Sequence, residues 1–106
     1  MAPAELEDLL LGHPLVVDTA VIGIPDDYAG EVPKAFVVLV PEAKSDAATA
    51  KQLEQFVREK KARSKWLSGG IEFLPQIPKS ASGKILRRML RDQERQKAKL
   101  RKQARL

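Results

Sequence analysis

Six consecutive apolar residues, Ala35-Phe36-Val37-Val38-Leu39-Val40, run without a polar interruption until Pro41 stops them. A half-solvated strand alternates apolar and polar side chains, because successive residues point to opposite faces. An unbroken run therefore calls for cover on both faces, or near-complete cover by helices. The chain must supply that cover from 106 residues, enough for one modest core and too few to enclose two sizeable substrates.

A second β-rich stretch, Val16 to Ile24, ends at the turn signal Pro25-Asp26-Asp27 and is the natural neighbour of the first, with Pro33 at an edge or outside the ladder. Helical periodicity marks three further segments. Ala4 to Leu11 has an apolar face of Leu6, Leu9 and Leu10 with acids near its start, and Gly12-His13-Pro14 ends it. Thr49-Ala50-Lys51-Gln52 resembles a capping box, followed by Leu53, Phe56 and Val57 through about Ala62. After Ser68-Gly69-Gly70, Ile71 to Leu74 reads as a short third strand. A last helix begins near Ile85 with Ile85, Leu86, Met89 and Leu90 on one side. From Asp92 onward almost no apolar residues follow, so only its first two turns are expected to dock, with fraying beyond. Helix, strand, strand, helix, strand, helix describes an α+β fold, a small single domain with a roughly three-stranded sheet flanked by helices.

Charge is distributed unevenly. From Lys84 to Leu106 ten Lys and Arg face only Asp92 and Glu94, whereas residues 1–83 carry nine basic residues against twelve acidic ones. A basic end on a mildly acidic body suits an anionic partner: nucleic acid, an anionic membrane or an acidic surface. With few aromatic residues to stack on bases, a nucleic-acid-binding or purely interacting module without catalysis is the weaker alternative. No cysteine and only one histidine, His13, leave no metal site to expect, and His13 is read as structural. No apolar run approaches a membrane span.

Chemistry points to Pro78-Lys79-Ser80-Ala81-Ser82-Gly83-Lys84, small residues leading into the basic helix. A lysine placed where a helix begins meets the positive end of the helix dipole, a position that favours an arriving anion such as a phosphate or carboxylate. The stretch is not a P-loop: Pro78 stands where that motif needs glycine, and Ile85 where it needs Ser or Thr. On local chemistry alone a solvated linker before a surface helix is the favoured reading. Trp66 beside Leu67 reads first as packing, with stacking on a base or an adenine as the lesser alternative.

Taken together, Pro3-Ala4-Glu5-Leu6-Glu7, His13-Pro14, Ala20 to Asp26, Gly30-Glu31-Val32-Pro33-Lys34-Ala35-Phe36-Val37-Val38 and Ile77 to Arg88 resemble the C-terminal domain of adenylate-forming enzymes, closest to the 4-coumarate and fatty acyl-CoA ligases. The resemblance covers about residues 2–92, leaving 93–106 as a basic C-terminal extension. It implies a mobile lid for a larger N-terminal AMP-binding domain, in an enzyme whose substrates are a carboxylic acid, ATP with Mg2+, and CoA. It puts the adenylation lysine at Lys84, with Gly83 allowing the nucleotide to approach the backbone and Ser80 and Ser82 forming the loop. Lys65 and Trp66 fall where the face used for thioester formation would lie. Ser82-Gly83-Lys84-Ile85 favours CoA over a carrier protein as acceptor. By the same resemblance the chain alone would bind none of these substrates and be inactive. Ala104-Arg105-Leu106 resembles a peroxisomal address read by an import receptor, which sets the expected location as peroxisomal or cytoplasmic.

Overall fold

A computed structural model describes residues 3–26, 30–60, 67 and 69–104. In chain order it has α1 (Pro3–Leu11), β1 (Val16–Asp26), β2 (Gly30–Leu39), α2 (Ala47–Lys60), β3 (Ile71–Phe73) and α3 (Arg87–Ala104). The α+β order read from the sequence is the order observed. β2 is the middle strand of three, antiparallel to β1 and parallel to β3.

The unbroken apolar run is explained by what lies on either side of β2. Ala35 and Val37 face a core with Leu6 and Leu10 of α1 and Leu53 and Val57 of α2. Phe36 points the other way, into a second core with Ala20, Ile22, Ile77 and Leu90 of α3. All three of these β2 side chains are fully buried. Sealing Phe36 from water contributes about 1.5–3 kcal/mol. The opposite face of the sheet thus depends on the end of the chain returning to cover it.

Pro33 lies inside β2, opposite Gly23, rather than outside the ladder. Its carbonyl accepts from Gly69 N–H at 2.8 Å, on the side away from β1. The missing N–H of a strand residue lies on the same side as its carbonyl, so β1 loses no bond. The β2–β3 pairing begins only at Ala35 and Ile71.

Helix ends differ from the sequence reading in informative ways. α2 starts at Ala47 because Asp46 is the cap: its Oδ1 accepts from Thr49 N–H at 3.0 Å. Thr49, expected to be the cap, is buried against the body instead. α3 starts at Arg87, since residues 84–86 are held in an extended arm. It then continues through Asp92, where fraying was expected, to Ala104. Polar rather than apolar anchors explain this persistence. Buried Glu94 pairs with Lys34, and Lys97 pairs with Glu72 of β3. Among the described residues no helix is long and apolar enough to cross a membrane.

Candidate functional site

The segment from Pro78 to Leu86 is a tight hairpin. Lys79 and Ile85 form an antiparallel bridge, and Leu86 N–H donates to Pro78 O at 2.9 Å. Above that bridge Ser80 N–H donates to Lys84 O, and Gly83 N–H to Ser80 O, each at 2.9 Å. This closure needs a residue in the left-handed region, which Gly83 supplies with φ of 86°. A Cβ at Gly83 would meet nothing within 4 Å, so the glycine is required by backbone conformation and not by crowding. Ser80 Oγ completes the turn, accepting Lys84 N–H at 3.3 Å and lying 2.9 Å from Ser82 Oγ. The serines form the loop, as the sequence implied.

The hairpin is anchored at its base and bare at its tip. Ile77 is buried and Ile85 packs on the second core. Lys79 Nζ lies 2.6 Å from Asp18 Oδ2, and Asp18 Oδ1 also accepts Thr19 N–H, so the arm is fastened to β1. From Ala81 to Lys84 every residue is exposed. The Lys84 ammonium has no hydrogen bond or ion pair among the described residues, whereas Lys34, Lys79, Arg87 and Lys97 are all paired. A cation left without a carboxylate at the tip of a braced turn is available to an anion from outside.

Lys84 stands three residues before α3, outside the helix's first turn. Its pull on an anion therefore comes from the unpaired ammonium and the turn, not from the helix dipole.

Arg87, and not Lys84, occupies the electrostatically unfavourable helix start. Its Nη2 donates to both oxygens of Glu7, at 2.6 and 2.8 Å, and Glu7 Oε2 also accepts Val21 N–H at 2.7 Å. The same carboxylate thus joins α1, β1 and the first residue after the hairpin. Sequence reasoning treated Glu7 only as a favourable charge in α1. A basic residue in a helix's first turn was the available sign of a partner carboxylate.

A second polar cluster fixes α3 to the sheet. Lys34 lies 3.1 Å from Glu72 and also pairs with Glu94, while Lys97 pairs with Glu72. Burial pushes the Glu72 carboxyl up, but hydrogen bonds from Lys97 and Lys34 outweigh it and hold the group below its ordinary value. His13 is structural, as expected: Nδ1 accepts Leu15 N–H at 3.1 Å and the ring meets Phe56 edge-on at 4.9 Å.

An open groove of about 870 Å³ runs between β1, the hairpin and α3, with Val17, Val38, Leu86 and Met89 among its lining. Among the described residues no group of three or more His, Cys, Asp or Glu side chains is placed to hold a metal ion. Lys65, Trp66, Arg105 and Leu106 lie outside the described residues, and Ala104 is the last residue of α3.

Comparison with known proteins gives a consistent picture. The family model for the AMP-binding enzyme C-terminal domain matches residues 5–84. The acyl-CoA ligase lcsD of Purpureocillium lilacinum is 50% identical over 106 residues, covering 99% of this chain and 28% of that protein. A probable 4-coumarate–CoA ligase of Dictyostelium discoideum is 48% identical over 90 residues, 85% of this chain and 16% of its own length. Among solved structures, the anthranilate CoA ligase AuaEII in complex with anthranoyl-AMP superimposes with a TM-score of 0.83 at 39% identity, covering 92% of this chain and 18% of that one. The chain therefore spans less than a third of the length of each of these proteins.

Proposed function

The chain belongs to the AMP-binding enzyme C-terminal domain family, and from that premise we propose that it is the mobile lid of an ATP-dependent, AMP-forming carboxylic acid–CoA ligase. The observation that carries the reading is the exposed ammonium of Lys84, unpaired among the described residues, at the tip of a hairpin fastened at its base. In the first half-reaction the substrate carboxylate attacks the α-phosphorus of ATP, a P–O bond forms, and pyrophosphate leaves. Two anions must approach, and negative charge accumulates on the phosphoryl oxygens. Lys84 offsets that charge as the transition state develops.

The second half-reaction needs other groups. The CoA thiol, giving up its proton, attacks the acyl carbon, a C–S bond forms, and AMP leaves with the C–O electron pair. Lys84 has no role at that carbon, so the domain turns to present another face, with Lys65 and Trp66 proposed on it. Gly83 serves by holding the turn that aims Lys84. The N-terminal domain supplies the acid and ATP sites, and the chain alone is inactive. We also propose Ala104-Arg105-Leu106 as a peroxisomal address.

The test is Lys84→Ala in the full-length enzyme. Acid-dependent pyrophosphate release should fall by about a hundredfold or more. Thioester formation from supplied acyl-adenylate should be spared, and thermal stability unchanged, since among the described residues the side chain has no partner to lose. Equal loss in both half-reactions, or no loss in the first, would overturn the assignment.

A further inference from the structure

Both arms of the Lys84 hairpin carry a cation held by a carboxylate, and each carboxylate is itself aimed by the backbone of β1. On the incoming arm Lys79, inside the bridge to Ile85, lies 2.6 Å from Asp18 Oδ2, and Asp18 Oδ1 accepts Thr19 N–H at 2.9 Å. On the outgoing arm Arg87, two residues past Ile85, donates to both oxygens of Glu7. β1 is an edge strand of the sheet, and there Glu7 Oε2 takes up the Val21 N–H at 2.7 Å. The two grips therefore meet one strand, at Asp18 and at Val21.

Lys79 and Asp18 are 39% and 28% exposed, and an ion pair that open to water adds little to stability. What it does fix is a direction. The tip from Ala81 to Lys84 is exposed, so the arms beneath it decide where the ammonium points. A hairpin held by one arm pivots about that arm; one held by both does not. An ammonium that offsets charge in a transition state works only at close range, and a misplacement of about 1 Å costs roughly a hundredfold in rate. We propose that Asp18 and Glu7, through Lys79 and Arg87, are positioning residues that aim Lys84 in the adenylation half-reaction, a role that rests on the lid reading above. They act only by way of Lys84 and touch neither the acid nor the nucleotide.

The test is acid-dependent pyrophosphate release by the full-length enzyme carrying Asp18→Asn. This change keeps an acceptor for Thr19 N–H and the size of the side chain while discarding the charge that holds Lys79. With one of two grips left, kcat should fall about tenfold while KM for acid and ATP stays within about twofold. Thioester formation from supplied acyl-adenylate should hold, and Tm should not move. Lys79→Met should match Asp18→Asn, and the two together should be no worse than either alone. Arg87→Met, assayed well below its melting temperature, should show the same split between half-reactions. The sharpest comparison is in the Lys84→Ala background, where Asp18→Asn should cost nothing further, because no ammonium is left to aim. A loss that persists there overturns the proposal, since it means that Asp18 or Lys79 acts on substrate directly or only supports the fold. Full adenylation by both Asp18→Asn and Arg87→Met, with Lys84→Ala impaired, overturns it too and leaves the lid reading standing. Unimpaired adenylation by Lys84→Ala overturns both.

Discussion

Replacing Arg87 with methionine keeps an apolar stem and removes the guanidinium, so it isolates the brace to Glu7. The Glu7 side chain is only 9% exposed and Arg87 is 33% exposed. Breaking a fully buried pair costs about 3–5 kcal/mol, because a charge is stranded out of water. Three features reduce that figure. Arg87 is one-third open to solvent, a single nitrogen serves both oxygens instead of two parallel donors, and Glu7 keeps the Val21 N–H. Removing a cation from a helix's first turn also returns about 0.3–1 kcal/mol. The net cost of Arg87→Met should be about 2 kcal/mol, or a Tm lower by roughly 8–12 °C for a domain of this size. Glu7→Gln, which retains an acceptor for Val21, should cost about 1 kcal/mol. Because both changes remove the same contact, the double variant should fall short of their sum by about 1 kcal/mol in urea unfolding. Simple additivity, to within about 0.5 kcal/mol, would refute the brace as an energetic unit.

Gly83→Ala places a side chain in open space but forces alanine into the left-handed region, at about 1–2 kcal/mol of strain confined to the turn. In the full-length enzyme, adenylation should drop while thioester formation from supplied adenylate holds, and loss of both together would argue against an aiming role. Glu72 titrates below its ordinary value of 4.5, so its pairing with Lys97 and Lys34 stabilises the fold fully above that pH and the contribution disappears as pH falls through the lowered value. The stability gap between parent and Glu72→Gln, measured by urea unfolding, should therefore be widest near neutrality and close in acid. Hydrogen bonds from Thr49 likewise hold the Asp46 carboxyl below 3.8, so Asp46→Ala should destabilise α2 at neutral pH and matter progressively less in strong acid. A gap that widened on acidification would contradict either reading.

What the sequence made legible, and what it hid, divides along one physical line. The six-residue apolar run announced a strand covered on both faces, and β2 is that strand, because hydrophobic burial is additive and local residues report it directly. Helix ends and braces depend on single polar partners far away in the chain. Nothing near Glu94 or Lys97 says that Lys34 and Glu72 will meet them, so a helix poor in apolar residues looked unable to continue past Asp92. The hairpin shows the same limit from the other side. Ser-Ala-Ser-Gly signalled a turn, and Gly83 does take the left-handed conformation such a turn requires. That the turn is gripped by the Lys79–Ile85 bridge, pushing the helix start to Arg87, depends on Ile77 and Ile85 finding a core whose other wall is Phe36. The position of Lys84 is thus set by the buried strand and only finished by its own loop. A substitution that loosens the Phe36 core should consequently misdirect the lysine before it unfolds the domain.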